Sequence, residues 1–206
     1  ALRSLMRQDP DIILVGETRD KETAHTAMEA ALTGHMVFTT LHANDTSTAI
    51  TRLAEMEVPP YLIGSSIVGV MAQRLVRKVC PKCSFVSRED PIKDKMTFEH
   101  GITEIRKANT VSISNGKSDS SNLSNKKLCP VCNGSGYKGR LGLYEVMKVN
   151  ENIRELIMKS GNADEIKDCA IKGGMRTLLN YGLELVKQQL TSLEEVERVC
   201  LLEESE

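Results

Sequence analysis

Four of the six cysteines in this 206-residue chain form two C-x-x-C pairs, Cys80 with Cys83 and Cys129 with Cys132. Two thiolates at this spacing can bind one tetrahedral Zn²⁺ ion, and two such pairs supply all four ligands. Because no coordination position then stays open, we expect the metal to be structural. A redox dithiol or a chance pairing is the alternative. Four cysteines can also hold an iron centre, but the Pro and Gly residues beside the pairs favour zinc.

Polar residues that could contact a nucleotide follow two short apolar segments. Glu17 comes just after residues 12–15, and His42 just after residues 36–41. An acidic residue after a buried strand is where nucleoside triphosphatases hold Mg²⁺ and activate water. A histidine there can form a hydrogen bond with a terminal phosphate, and Gly16 would let a ligand approach the backbone. A solvated glutamate in a turn and a structural histidine are the alternatives.

The elements that must position these residues alternate between strand and helix. The apolar run 12–15 predicts a parallel strand covered on both faces, and residues 20–32 predict a helix before the second strand at 36–41. A helix capped by Asp45 or Thr46 follows, and another continues toward Ala72. This alternation indicates an α/β sheet with ligand chemistry at the strand ends.

The remaining segments of the chain do not show this alternation of strand and helix. Residues 84–128 are rich in serine and poor in apolar residues, so we expect an insertion, at least partly mobile, between the two halves of one metal site. Residues 150–206 predict a series of helices, which break at Gly161 and at Gly173-Gly174. Thr191 to Glu194 has the spacing of a capping box and predicts the start of the last helix.

The amino-acid composition argues against several classes of function. The chain has 27 Lys and Arg against 28 Asp and Glu, a net charge of −1, so broad electrostatic binding to nucleic acid or anionic lipid is not expected. Aromatic residues make up 3%, too few for a surface that stacks single-stranded bases. No apolar run approaches the ~20 residues of a membrane span. The chain begins at Ala1 within a helical pattern and without a signal peptide, so we expect a piece of a longer protein from a reducing compartment.

Residues 6–20, MRQDPDIILVGETRD, resemble the signature of the type II secretion and type IV pilus assembly ATPases, the GspE/PilB-type traffic ATPases. That signature runs Arg-x-x-Pro-Asp, four aliphatic positions, then Gly-Glu-aliphatic-Arg-Asp; it begins here at Arg7, and Thr18 departs from it. Residues 34–53 are similar to the family's His box. The segments around the cysteine pairs and the C-terminal helical pattern also match, so the resemblance covers about residues 1–83 and 129–200.

The resemblance implies an α/β fold made of the rear, C-terminal part of a RecA-like P-loop ATPase domain at residues 1–79. A tetracysteine metal-binding module at 80–140 and a C-terminal helical subdomain at 141–206 would follow. The implied cofactors are ATP, Mg²⁺ and a structural Zn²⁺. The implied catalytic residues are Glu17 and His42, the latter beside the γ-phosphate. The implied nucleotide-binding residues are Gly16, Arg19 and Thr40, and Asp20 would help to shape the same loop.

The resemblance also implies partners. Such ATPases work as hexameric rings, contact an inner-membrane platform protein, and drive assembly of a type II secretion pseudopilus or a type IV pilus. The expected location is the cytoplasm, peripherally at the inner face of the cytoplasmic membrane, with no nucleic-acid partner. The chain contains no G-x-x-x-x-G-K-[ST] loop, so we expect these residues alone to be inactive. Five basic residues flank the cysteine pairs, and a solvated face, local salt bridges or a contact with a neighbouring subunit would explain them: Arg74, Arg77, Lys78, Lys138 and Arg140.

A zinc-binding module without enzymatic activity is the rival hypothesis. Residues 129–136 resemble one C-x-x-C-x-G-x-G repeat of the DnaJ-type chaperones, but those proteins carry several repeats and Cys83 is not followed by this pattern. A zinc ribbon that binds nucleic acid is a further alternative, which the balanced charge and scarce aromatic residues disfavour.

Overall fold

The computed structural model describes residues 8, 10–88, 99–110 and 128–200. Its strands are β1 (Ile12–Val15), β2 (Met36–Thr39), β3 (Gly69–Val79), β4 (Phe85–Ser87), β5 (Ile105–Lys107) and β6 (Tyr137–Lys148). Its helices are α1 (Lys21–Leu32), α2 (Thr46–Glu55), α3 (Pro60–Ser66), α4 (Glu151–Met158), α5 (Ala163–Lys172), α6 (Leu178–Lys187) and α7 (Leu193–Cys200). The predicted α/β character and the C-terminal helices are therefore present.

The described residues divide into two compact units. The first contains the chain up to Ala72 together with Tyr144–Thr177, and the second contains Gln73–Leu143 and the chain from Leu178 onward. Of the C-terminal helices, α4 and α5 belong to the first unit, and α6 and α7 to the second.

In the first unit, β1 and β2 form a parallel pair in which Ile12 lies opposite Met36. Helix α1 connects them; Asp20 caps its N-terminus, and Gly34, with φ of +103°, follows its end. Only one face of this pair is covered by described residues, since Ile12 and Leu14 are 65% and 76% exposed. The prediction of a strand covered on both faces was therefore wrong for the described part of the chain. Side chains alternate across a strand, and nothing described packs on the outer face.

The helix that follows Pro60 is shorter than the sequence suggested. Helix α3 ends at Ser66, and by Gly69 the chain has entered strand β3 instead of continuing toward Ala72 as a helix. The segment from Ile67 to Met71 is rich in β-branched residues, which favour strand conformation. A short apolar run of this kind does not distinguish helix from strand by its period alone.

Helices α1 to α5 enclose the core of the first unit. Arg154 of α4 donates a hydrogen bond from Nε to the carbonyl oxygen of Gly64 in α3 at 2.8 Å, which joins these two helices. None of the described helices is both long and apolar enough to cross a membrane. The core residues are Ala24, Met28, Ile50, Leu53, Val58, Leu62, Ile63, Met147, Val149, Ile153, Ile157, Ile166 and Ala170.

Strands β3 and β6 pair along their length and contribute residues to both units. The Val149 N–H donates to the carbonyl of Val68, and the Cys80 N–H donates to the carbonyl of Gly136. Residue numbers rise along one strand as they fall along the other, so the pair is antiparallel.

In the second unit, β4 and β5 form a short antiparallel pair in which Phe85 lies opposite Lys107. Ile102 and Ile105 pack into a core with residues of α6 and α7, namely Leu183, Val186, Leu193 and Val196. The described part of the predicted insertion 84–128 is therefore structured and contributes to a core. The expectation of mobility concerns residues 89–98 and 111–127, which lie outside the described residues.

Candidate functional sites

The ends of β1 and β2 bring the predicted catalytic residues together. Glu17 follows β1 and His42 follows β2, and Nε2 of His42 lies 2.6 Å from Oε1 of Glu17. Nε of Arg19 donates a hydrogen bond to the other carboxylate oxygen, Oε2, at 2.5 Å. The His42 and Arg19 side chains are 88% and 75% exposed, so their positively polarised ends lie at an open surface. Arg7, the first residue of the family signature, lies outside the described residues.

The surroundings of Glu17 keep its carboxyl group ionised. The hydrogen bond from Arg19 holds the pKa of Glu17 below its usual range, and the charges of Arg19 and His42 act in the same direction against partial burial. Oε1 is itself buried and accepts no hydrogen bond within the described part of the chain, although Nε2 of His42 is at ion-pair distance. In these contacts His42 faces Oε1 and Arg19 faces Oε2.

Threonine contacts hold the two strand ends beside each other. The Thr40 hydroxyl donates to the carbonyl of Gly16 at 2.7 Å, and the Thr18 N–H donates to the carbonyl of Thr40 at 2.9 Å. The buried Thr18 side chain places Oγ1 2.8 Å from Oγ1 of Thr39. In the sequence, Thr18 stands out only as a departure from the signature. The presence of Thr39 in the next strand is the feature that could have indicated their contact. A Cβ atom on Gly16 would meet no atom within 4 Å, so the space beside it is open.

Asp20 acts as a helix cap. Its Oδ1 accepts a hydrogen bond from the N–H of Thr23 at 2.8 Å, and its Oδ2 accepts one from the Thr23 hydroxyl. These bonds lower the pKa of Asp20. A carboxylate at this position satisfies a free N–H of the first helical turn, so the structure assigns Asp20 to the start of α1, directly after the loop that carries Glu17.

The His42 loop ends in a second cap, which the sequence analysis anticipated. Oδ1 of Asp45 accepts from the Thr48 N–H at 2.8 Å, and Oδ2 accepts from Nζ of Lys167 at 2.9 Å. Burial raises the pKa of Asp45, but the bonds from Thr48 and Lys167 outweigh it and lower the pKa overall. Asp45 therefore fixes the start of α2 to α5.

The four paired cysteines form one cluster. All four sulfur atoms lie within 4.8 Å of one another, with 3.8 Å between Cys80 and Cys129 and 3.5 Å between Cys83 and Cys132. Four thiolates around zinc at ~2.3 Å would be separated by about 3.8 Å. All four cysteines are free thiols rather than disulfides. The donor set and its spacing therefore fit a closed, tetrahedral metal site.

The pKa values of the cysteine thiols bear on how the cluster could bind a cation. Burial raises the pKa of the Cys132 thiol, but hydrogen bonds from Cys83 and from the backbone amides of Gly136 and Gly134 outweigh it and lower the pKa to about 6. Burial and the bond to Cys132 raise the pKa of Cys83 to about 12. Backbone bonds lower the pKa of Cys129. Cys132 and Cys129 are therefore the thiols that lose their proton more easily, and the thiolate is the form that binds metal.

The turn after the second cysteine pair depends on unusual backbone angles. Asn133, Gly134 and Gly136 have φ values of 51°, 83° and 75°. At Gly136 a Cβ atom would also lie 3.0 Å from Cβ of Ala108 and 3.1 Å from the carbonyl carbon of Asn109. Glycine is required at this position for both reasons, and the residues that follow β5 therefore pack directly against the metal-binding turn.

Arg77, one of the basic residues beside the cysteine pairs, forms a local salt bridge. Its guanidinium lies 2.6 Å from Oε2 of Glu195 and 4.0 Å from the centroid of the Tyr137 ring. Arg198 binds the same carboxylate, whose side chain is completely buried. Burial raises the pKa of Glu195, but bonds from Arg198 and Arg77 lower it to about 2. The sequence analysis missed Glu195, because its strand partner is 118 residues away.

Comparisons with known proteins agree with the predicted family. The family model described as "Type II/IV secretion system protein" matches residues 1–198. The type IV pilus assembly ATPase PilB of Thermus thermophilus is 44% identical over 196 residues, which are 95% of this chain and 20% of the relative. The type II secretion system ATPase E of Vibrio cholerae is 40% identical over 198 residues, 96% of this chain and 36% of the relative. The chain thus spans a fifth to about a third of the length of these relatives.

Solved structures support an α/β ATPase fold. The pilus retraction motor PilT with bound ADP superposes with a TM-score of 0.61 and 26% identity, over 97% of this chain and 42% of that one. The ATPase DotB of Yersinia pseudotuberculosis gives a TM-score of 0.62 at 20% identity, over 97% and 39%; at that identity the likeness concerns the fold alone.

Proposed function

This chain belongs to the type II/IV secretion system protein family, and from that membership we propose that it is part of an ATPase that powers pseudopilus or pilus assembly. The curated relatives named above are a pilus assembly ATPase and a secretion system ATPase. The observation that carries the proposal is the contact of Glu17 with Arg19 and His42 at the ends of two parallel strands.

In this proposal Glu17 is the catalytic carboxylate. Its pKa is lowered by Arg19, so it is ionised at neutral pH, and its Oε1 has no hydrogen bond within the described residues. An ionised carboxylate at the end of a strand can orient the attacking water and accept its proton. Mg²⁺, when bound, would neutralise charge on the β- and γ-phosphates, and the ionised carboxylate is a suitable ligand for it.

His42 is proposed to bind the γ-phosphate. Its side chain is 88% exposed, and the imidazole has a second ring nitrogen that can bind a phosphate oxygen. Gly16, Arg19 and Thr40 are proposed to line the nucleotide. Open space beside Gly16 supports this role, and the Thr40 hydroxyl supports it by holding the Gly16 carbonyl in place.

The four-cysteine cluster is proposed to hold a structural Zn²⁺ ion through Cys80, Cys83, Cys129 and Cys132. The sulfur distances and the thiolate-favouring surroundings support this assignment. We propose that the metal stabilises the module at 80–140, between a RecA-like rear part at 1–79 and the C-terminal helices. The rival hypotheses of a DnaJ-type or ribbon-like zinc module rest on the cysteines alone, whereas the family match extends over residues 1–198.

The complete protein is proposed to work as a cytoplasmic hexameric ring at the inner face of the membrane, bound to a platform protein. Two observations support its working as part of a larger assembly. The relatives are about three to five times longer than this chain. The outer face of β1 and β2 also exposes four large apolar side chains, those of Ile12, Leu14, Met36 and Phe38. Apolar patches of this kind on a soluble sheet are normally covered.

Replacing Glu17 by glutamine tests the proposal. The experiment needs a longer protein in which a Walker A segment precedes these residues. Glu17→Gln is expected to reduce ATP turnover by about 10²-fold or more while ATP binding stays intact, because an amide keeps the shape but accepts no proton. Glu22→Gln, in the exposed first turn of α1, is the matched control and should turn over normally. Near-normal hydrolysis by Glu17→Gln would remove Glu17 from the catalytic role.

A further inference from the structure

Glu145, a residue of β6, is a buried acid that the reaction scheme above does not use. It is 2% exposed, and its Oε1 accepts two hydrogen bonds from one residue, Thr46. The Thr46 N–H donates at 3.0 Å and the Thr46 hydroxyl donates at 2.6 Å. Burying a carboxylate is costly unless donors compensate for its lost hydration. The two bonds therefore join Glu145 tightly to Thr46, the fully buried first residue of α2.

The bonds to Glu145 lie at one end of the loop that carries His42. This loop, residues 40–45, is held at its other end by the hydrogen bonds between Thr40 and the backbone of Gly16 and Thr18. His42 itself is 88% exposed, so side-chain packing does little to fix its imidazole. The position of Nε2 beside Glu17 therefore depends on how firmly the two ends of the loop are held.

We infer that Glu145 is a positioning residue for His42. By holding Thr46 it fixes the end of loop 40–45, and so keeps Nε2 of His42 at Oε1 of Glu17. The inference rests on the proposed function insofar as this pair matters for hydrolysis. Glu145 acts through Thr46, whose N–H and hydroxyl both donate to it at the start of α2. A purely structural role, in which Glu145 only stabilises the packing of β6 on α2, predicts no specific effect on His42.

A spectroscopic double-mutant cycle on the 206-residue chain separates these two roles. In the wild-type chain, Glu17→Gln should shift the imidazole NMR signals of His42, because it removes the neighbouring charge. In a Glu145→Ala background the same change should shift them less, because the loop end loses its bonds to β6 and keeps only those of Asp45. A shift of unchanged size in that background would overturn the inference.

Two variants of Thr46 keep the test decisive if Glu145→Ala does not fold. Thr46→Val removes the hydroxyl donor at nearly constant shape, and Thr46→Ser keeps that donor. The His42 response to Glu17→Gln should weaken in the valine variant and recover in the serine variant. Ile166→Val, a change in the fully buried core of the same unit, is the control for general destabilisation and should leave the response intact. Equal responses in the valine and serine variants would overturn the inference.

Kinetics of the longer, Walker A-containing protein distinguish failure of the inference from failure of the proposed function. Thr46→Val should lower kcat by about tenfold with KM nearly unchanged, since a misplaced group costs rate rather than binding, and Thr46→Ser should restore kcat. An unchanged kcat in Thr46→Val, together with an inactive Glu17→Gln, would overturn only the positioning role. A fully active Glu17→Gln would overturn the proposed function, and the NMR cycle would still decide whether Glu145 places His42.

Discussion

Three glutamates of this chain differ in how the protein compensates their charge. Glu17 is partly accessible and is held by Arg19. Glu145 is buried and is held by two neutral donors of Thr46. Glu195 is buried and lies between two arginines. Among the buried side-chain nitrogen and oxygen atoms of the described residues, only Oε1 of Glu17 accepts no hydrogen bond, and an incompletely satisfied carboxylate is suited to chemistry.

Glu195 should make stability depend on acid pH. Its pKa is lowered to about 2 in the folded protein, whereas an unfolded glutamate titrates near ~4.3. The unfolded state therefore binds the proton more readily, and the stabilisation is complete above about pH 5 and is lost as the pH falls toward 2. The contribution at neutral pH is at most about 3 kcal/mol.

Urea titrations of Glu195→Gln at several pH values measure this contribution. The variant should be less stable than the wild type at pH 7, and the difference in free energy of unfolding should shrink as the pH approaches 3. Glu194→Gln, at the exposed neighbouring position, should differ little from the wild type at any pH. A Glu195→Gln deficit that is equally large at acid pH would show that the ion pairs are not its source.

At the scale of single residues, the sequence predicted that Glu17 and His42 lie close together, but it did not predict the tertiary contacts of Glu145 and Glu195. Glu17 and His42 were predicted because each follows a short apolar run, and parallel strands end at the same edge of a sheet. The bonds of Glu145 to Thr46 and of Glu195 to Arg77 were not, because these donors are 99 and 118 residues away. A sequence reveals the local position of a charge, whereas the tertiary contact that decides its pKa depends on the completed fold.

At the scale of elements, α6 and α7 cross at a glycine. A Cβ atom on Gly182 would lie 2.5 Å from Cγ1 of Val196, well inside van der Waals contact. The two helices can approach this closely only because α6 has no side chain there. Contacts of this kind are not visible in the helical periodicity that predicted the two helices.

Gly182→Ala should therefore lower the free energy of unfolding by about 1–3 kcal/mol, because overpacking outweighs the ~0.5–1 kcal/mol that alanine adds to helix propensity. Chemical denaturation measures the change. Gly64→Ala is the helical control and should be near neutral, because its Cβ would meet side-chain atoms of Arg154 and Met158 at 3.4 Å and the Arg154 carbonyl oxygen at 3.6 Å, all ordinary contact distances. A second change, Val196→Ala, should recover part of the loss; no recovery would mean that the crossing is not the cause.

We expect a bound metal to stabilise the two turns that carry the cysteine pairs. Purified protein should contain about one zinc per chain, and Cys80→Ser should lose both the metal and the order of residues 77–145, because metal binding and local folding are coupled. Elemental analysis and amide exchange measure the two effects. Cys169→Ser, outside the cluster, should retain the metal. Iron in place of zinc, or a native Cys80–Cys83 disulfide, would refute the assignment.

Periodicity predicted β1, β2, α1, α2 and the C-terminal helices, but it placed the residues after Ser66 in a helix that the structure ends there. It also predicted that both faces of β1 are covered, whereas the described residues leave one face exposed. An apolar run indicates that its side chains are buried, but it does not indicate which strand or helix covers them. That information lies in the strands and helices that neighbour it in space.

At the scale of the whole molecule, the residues proposed for hydrolysis lack a phosphate-binding loop. The chain contains no Walker A sequence, so we expect no array of backbone amides that could cradle a triphosphate. The ionised Glu17 would repel the nucleotide. We therefore expect no saturable ATP binding to the 206-residue chain at millimolar nucleotide, measured by calorimetry. The longer protein with a Walker A segment is the positive control, and saturable binding to this chain alone would mean that the site is misplaced.

The division of β3 and β6 between the two units has a practical consequence. The chain changes unit after Ala72, after Leu143 and after Thr177, so neither unit is one continuous stretch of sequence. No choice of two termini excises either of them, and the first two changes fall within or beside a paired strand. Dissection of this protein would require a fusion of two separate segments, or their co-expression as peptides. Truncations that cut β3 after Ala72 or β6 after Leu143 would leave half-strands unpaired and prone to aggregate.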